Sequence, residues 1–185
     1  MVRVFLGMAL AIASLGAAAA SSKFSLSSPD MVAGQMIANK FVYNSFGCTG
    51  ENVSPALNWS HPPVGTKSFA LTVHDPDAPT GGAGFWHCIV VNVPATSTGL
   101  PQGAGALNST LLPKGAQQLG TDYGIAAWGG PCPPVGNKPH RYNFTVYALK
   151  VDHLDIPANA MPDIAGFMIN QAMIGKATFT ARYGR

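Results

Sequence analysis

Charge is what this sequence has least of. Only 10% of its 185 residues are Asp, Glu, Lys or Arg, against roughly a quarter in an ordinary soluble domain. The formal balance is +3, and it falls to +2 once Arg3 is removed with residues 1–20. A charge so weak and so evenly spread leaves no electrostatic footprint for nucleic acid. There is no acidic or basic block and no internal repeat, which excludes charged tails and solenoids. Beyond the first twenty residues no apolar run is long enough to span a bilayer. No HExxH or similar metal-ligand spacing occurs, and no Ser or Cys lies in a known nucleophile motif. Gly81-Gly82-Ala83-Gly84 is not a phosphate loop, because no Lys-Ser/Thr follows it and no helix opens there. The sequence offers no cofactor or metal motif, and an enzyme is not expected.

Turn residues, by contrast, are plentiful. The chain has 21 Gly and 15 Pro, which implies many turns and few long helices. Its length suits a single domain with a full hydrophobic core. Residues 1–20 combine one cation, Arg3, with an apolar stretch and the small-residue ending Ala17 to Ala20. That is the pattern of a secretory signal peptide, cleaved after Ala20 through Ala18 and Ala20. Residues 21–185 are then one exported domain, periplasmic or secreted.

Export makes the three cysteines informative. Cys48, in Phe46-Gly47-Cys48-Thr49-Gly50, and Cys132, in Gly129-Gly130-Pro131-Cys132-Pro133-Pro134, both lie in loops. Cys88 sits in the apolar run Cys88-Ile-Val-Val91. A Cys48–Cys132 disulfide with Cys88 as a buried free thiol is expected. Spacing alone leaves three free thiols open.

The patterning is mostly β. Residues 24–28, Ser68–Val73, Phe85–Val93, Arg141–Leu149 and Ala177–Tyr183 read as strands. The strand after Arg141 alternates Tyr142, Phe144, Val146 and Ala148 against the intervening residues, which predicts two distinct faces. One helix is expected, capped by Asp163, with Ile164, Phe167, Met168 and Ile174 at helical spacing and Gly175 ending it. Met168 and Met173 read as core filler. Residues 31–46 stay unassigned, and 94–122 form a long connection of Gly, Pro, Ala and Ser.

Four polar clusters fall at strand ends or in Pro-Gly loops: Asp75-Pro76-Asp77-Ala78-Pro79, Trp86-His87, Trp128 to Pro134, and His140-Arg141-Tyr142. Prolines on either side of Asp77 stiffen its backbone. Gly129-Gly130 lets backbone approach a ligand closely. His87, His140 and Tyr142 can all donate to an anion, and affinity for an anion should rise as the imidazoles charge with falling pH. An aspartate facing that anion would repel it. Asp75 and Asp77 must therefore serve the histidines, hold the turn, or meet a cation on the same ligand, as a zwitterionic head group would supply. Two Asp and two His could equally form a metal site. His74 should turn away from the pocket by strand alternation, and Trp59, Trp86 and Trp128 read as packing.

These motifs resemble the phosphatidylethanolamine-binding protein family, in its bacterial Raf-kinase-inhibitor-like branch (the YbhB/YbcL group). The resemblance rests on Asn52-Val-Ser-Pro-Ala-Leu-Asn-Trp59, Asp75-Pro-Asp-Ala-Pro79, Trp86-His87 with Val90-Val91-Asn92, Gly130-Pro131 with Pro133-Pro134, and His140-Arg141-Tyr142. It covers about Phe24 to Tyr183. It implies a β-sandwich with Greek-key strands, one or two short helices, and a small surface pocket for phosphate or similar anions. The pocket set it implies is Asp75, Asp77, His87, His140 and Tyr142, with the Gly130-Pro131 backbone on the rim. Two departures stand out. No residues follow the closing strand to make the C-terminal helix of eukaryotic members, so helix-gated access is not expected. The signal segment argues against control of cytosolic kinases.

The expected function is therefore that of an exported binding protein for a small anionic or zwitterionic ligand of phosphate or phospholipid head-group type. The alternatives are a secreted inhibitor that meets a protease or kinase partner at the pocket rim, and a metal-dependent hydrolase using Asp75, His87 and His140.

Overall fold

The computed structural model of the chain describes Met1 and residues 22–185. The expected signal segment and its cleavage point lie outside the described residues. Eight strands and one α-helix follow in order: β1 (Ser25–Ser27), β2 (Leu57–Ser60), β3 (Ser68–Asp75), β4 (Phe85–Pro94), β5 (Gly99–Leu100), β6 (Gln117–Gln118), β7 (His140–Leu149), α1 (Pro162–Ala172) and β8 (Met173–Tyr183). They form two antiparallel sheets, a small one in the order β1-β2-β5 and a large one in the order β6-β4-β3-β7-β8. Within the large sheet the order β7-β3-β4-β6 is that of a Greek key.

The large sheet is covered on both faces. On one, Phe69, Leu71, Val73, Val90, Phe144 and Val146 pack against Leu26, Leu57, Trp59 and Leu100 of the small sheet. On the other, Ala70, Ile89, Val91, Tyr147 and Leu149 pack against Ala165, Ile169 and Ala172 of α1. Double coverage explains why β4 is an almost unbroken apolar run instead of an alternating one. It also buries both faces of β7 from Phe144 onward, with Tyr147 and Leu149 under the helix.

The helix differs from its expected form in three ways. Met161 stands at the N-cap with no side-chain bond, Pro162 opens the helix, and Asp163 lies in the first turn. Proline suits that first position because its missing N–H would be unpaired there anyway. Asp163 instead accepts from Trp86 Nε1 at 3.0 Å. Gly175 does not end the helix; the chain passes straight into β8, where a Cβ on Gly175 would meet Pro63 Cγ at 2.6 Å. The buried face is the small-residue one, while Ile164 and Phe167 are exposed. Small side chains let the helix sit close on the sheet, a requirement of tertiary packing that the larger apolar residues masked. Met168 and Met173 are partly buried against this layer.

Residues 34–37 run beside β8, with Gly34 N–H donating to Thr180 O and Ile37 N–H to Arg182 O, both at 2.7 Å. They cover part of an edge that would otherwise be open. The long connection after β4 is ordered and contributes β5 and β6. Cys48 and Cys132 form the disulfide, and Cys88 is a buried free thiol. Burial pushes the Cys88 thiol up to about 12, leaving it inert. No described helix is long and apolar enough to cross a membrane.

Candidate functional site

β3 delivers Asp75 at its last position and then turns sharply. Asp75 Oδ1 accepts the Asp77 N–H at 2.8 Å, an Asx turn in which the side chain substitutes for backbone. Asp75 Oδ2 lies 2.7 Å from His140 Nδ1. The pair is almost wholly enclosed, with 4% and 5% of the two side chains exposed. A buried carboxylate in such a pair needs both oxygens occupied, and here they are. Asp75 thus holds the turn and orients His140.

Asp77 turns outward. Its carboxylate receives Arg141 Nε at 2.9 Å, Arg141 Nη2 at 2.6 Å and the Arg141 backbone N–H at 2.8 Å. The Arg141 side-chain bonds hold its carboxyl down at about 2. Asp77 stitches the turn to β7. Neither carboxylate is free to meet a ligand cation.

His87 reaches the site through a β-bulge. The β3–β4 register runs Val73↔Cys88 and then His74↔Trp86, so His87 is the extra residue. Strict alternation would place His87 with Ile89 and Val91, under the helix. The bulge moves it onto the face of Val73 and Asp75, and sends Trp86 to the helix side, where its ring lies tilted against that of His74 with centroids 4.4 Å apart. His87 Nδ1 lies 2.7 Å from Gly129 O. A carbonyl only accepts, so Nδ1 carries the hydrogen. Burial pulls the ring down to about 4, so it is neutral at ordinary pH. Its Nε2 is buried and has no partner. The expectation that both imidazoles donate therefore fails at His87, whose free nitrogen is an acceptor.

β7 presents His140 and Tyr142 two residues apart on one face, as alternation predicts. The Tyr142 hydroxyl is buried without a partner. Burial, the first cause, and the nearby Asp75 charge push its phenol above the usual range, so it stays protonated and can donate. His140 Nε2 lies 3.3 Å from Asn137 Nδ2.

Asp75, His87, His140 and Tyr142 line one surface cavity of about 150 Å3, with Phe46, Ala78, Pro79, Thr80, Phe85, Cys132, Pro133 and Pro134 around them. Asp77, Gly130 and Pro131 do not line it. The Gly130 N–H donates to Asn52 Oδ1 at 2.8 Å and its carbonyl accepts from Tyr123 Oη at 2.8 Å. A Cβ on Gly130 would lie 2.1 Å from Phe41 O, so close backbone packing explains this glycine. The rim is tied twice. The disulfide joins the Phe46 loop to Cys132, and Arg185 donates to Pro133 O at 2.7 Å and to Gly47 O at 2.8 Å. Beside His140 opens a second, shallower depression bordered by Asp77, Lys138, Arg141 and Arg182, in which the Arg141 guanidinium is already paired with Asp77.

Sequence reasoning did not single out Phe46, Phe85, Asn52 or Tyr123 as site-forming. Tyr123 sits in the loop between β6 and β7, yet its ring lies 5.6 Å from His87 and 4.8 Å from Phe85. Asn52 opens one of the recognised motifs, and its side chain anchors the Gly130 loop. Nothing in local spacing marks Tyr123. Among the described residues no three His, Cys, Asp or Glu side chains gather as a metal-ligand group.

A family model described as phosphatidylethanolamine-binding protein matches residues 27–184. The chain is 47% identical to the UPF0098 protein YbcL of Escherichia coli K12 over 165 residues, covering 89% of this chain and 90% of that protein. Against YbhB of the same organism the identity is 41% over 158 residues, covering 85% and 98%. The crystal structure of Escherichia coli YbcL, described as a new member of the mammalian PEBP family, superposes with a TM-score of 0.86, covering 89% of this chain and 99% of that one. A Mycobacterium tuberculosis H37Rv protein named putative lipoprotein LppC is 38% identical over 138 residues, 75% of this chain and 63% of that protein.

Proposed function

The chain belongs to the phosphatidylethanolamine-binding protein family, and on that footing we propose that it is an exported, non-catalytic binding protein whose pocket holds a small oxyanion. One observation carries this reading. The cavity contains a buried, unpartnered Tyr142 hydroxyl, while the Asp75 and Asp77 carboxylates that would repel an anion are both occupied by protein groups. An orphaned buried donor costs stability unless a ligand meets it.

Titration with inorganic phosphate tests the pocket. In Tyr142→Phe the affinity measured by calorimetry at pH 6 should fall roughly tenfold to a hundredfold, as expected for a hydrogen bond to a charged group. The fold should persist, because the lost hydroxyl has no protein partner. Unchanged affinity would place the ligand elsewhere.

Export is supported by the residue 1–20 pattern, by the Cys48–Cys132 disulfide and by a relative named a lipoprotein, since stable disulfides belong to oxidising compartments. Sequencing of the mature N-terminus should find Ser21. A cytosolic protein retaining Met1 would overturn this part.

A further inference from the structure

His87 and Tyr142 face one another at the cavity with opposite hydrogen-bonding character. Their rings meet edge to face at 5.1 Å. Tyr142 offers a hydrogen. His87, locked by Gly129 O with its hydrogen on Nδ1, offers a lone pair on Nε2.

The surroundings keep it so. From β3, Asp75 lies on the same face and favours a proton on His87, but its own oxygens are taken by His140 and the Asp77 N–H. From the opposite face, His74 opposes that proton. From β7 come Tyr142 and His140. From the loop between β6 and β7 comes Tyr123, whose hydroxyl donates to Gly130 O. Phe85, 5.2 Å away along the same strand, and burial as a whole remove water. Desolvation outweighs the Asp75 charge, and the ring sits at about 4.

A fully deprotonated oxyanion would set its own lone pairs against that of Nε2. A ligand oxygen still bearing hydrogen would satisfy it. We propose that the pocket selects oxyanions by proton content, accepting a phosphate or phosphomonoester that retains one acidic hydroxyl and excluding sulfate and phosphodiesters. The ligand P–O–H donates to His87 Nε2 while a charged oxygen accepts from Tyr142. Whether the proton rests nearer oxygen or nitrogen, the complex holds one proton between the two, and no bond to phosphorus changes. This rests on the anion-pocket reading above and gives it a substrate class. It also makes the diester linkage of an intact phospholipid a poor ligand, and a monoester head group or free phosphate a good one.

Four probes at pH 6 test the idea by calorimetry on the mature protein: inorganic phosphate, methyl phosphate, dimethyl phosphate and sulfate. Phosphate and methyl phosphate should bind about ten- to a hundredfold more tightly than the other two, the range set by leaving one buried acceptor unpaired. Comparison of phosphate with methyl phosphate separates free phosphate from monoesters as the source. Between pH 6 and 8 the methyl phosphate affinity should fall as the second ionisation, near 6, removes its proton. Dimethyl phosphate should stay flat. In His87→Gln the side-chain amide supplies a donor, so the gap between methyl phosphate and sulfate should close to within about threefold. Sulfate or dimethyl phosphate binding the native protein as tightly as methyl phosphate would overturn the proposal while leaving an anion pocket standing. Failure of all four to bind would sink both readings. The comparison among probes needs no variant, so it holds even if His87→Gln folds poorly.

Discussion

Replacing both bridged cysteines, Cys48→Ser with Cys132→Ser, should lower unfolding stability by about 4–5 kcal/mol, the chain-entropy value for a loop of this size. The two residues are 84 positions apart, so the cross-link removes a large share of the unfolded chain's freedom. A domain of this kind has roughly 5–15 kcal/mol in total, so the variant should be near the limit of folding at growth temperature. Urea unfolding of the two proteins measures it. Reduction of the native protein should reproduce the effect, and Cys88 does not confuse the comparison because it is buried and unbridged. The consequence for the pocket follows from position. Phe46, Cys132 and Pro133 line the cavity, and the bridge joins the loops that carry them. Phosphate affinity should therefore weaken with stability. A serine pair within about 1 kcal/mol of the native protein would show that the Arg185 tie and loop packing suffice.

The second large effect is acid destabilisation through His87. The folded ring sits at about 4 because of burial, against 6.5 in the unfolded chain. Below pH 6.5 the unfolded state takes up a proton that the folded state refuses, so stability falls with pH across 6.5 to 4 and the loss levels off below 4. The shift corresponds to roughly 3 kcal/mol. Above pH 6.5 the contribution is constant. Other groups titrate over the same window, so the quantity to measure is the difference between native and His87→Gln stabilities from urea melts in phosphate-free, sulfate-free buffer. That difference should slope between pH 6.5 and 4 and be flat above. Parallel curves would mean that the folded ring takes up its proton over the same pH range as the unfolded one, so that at pH 6 Nε2 would be largely protonated and the lone pair assigned to it there would be lost.

Much of this protein was determined by short-range pattern. Apolar runs bounded by turn residues placed β3, β4, β7 and β8, because burying a strand needs little more than a stretch of β-formers between breakers. The loop setting of Cys48 and Cys132 against the apolar setting of Cys88 sorted the cysteines. The residue types gathered at Asp75, His87, His140 and Tyr142 pointed to a polar pocket before any contact was known. The rest depended on distant partners. Asp77 looks like Asp75 in the sequence, yet the first meets Arg141 outside the cavity and the second meets His140 within it. Those partners lie 64 and 65 residues along the chain, beyond any local period. The helix repeat was legible but its buried face was not, since contact with a flat sheet favoured Ala165, Gly166 and Ile169 over Ile164 and Phe167. The site turns finally on two tertiary facts. A one-residue slip between β3 and β4 carries His87 from the helix side to the pocket, and the carbonyl of Gly129, 42 residues away, decides which of its nitrogens keeps the hydrogen. Alternation along a strand assumes an unbroken ladder, and a ring's tautomer is set by whatever acceptor packing brings to it.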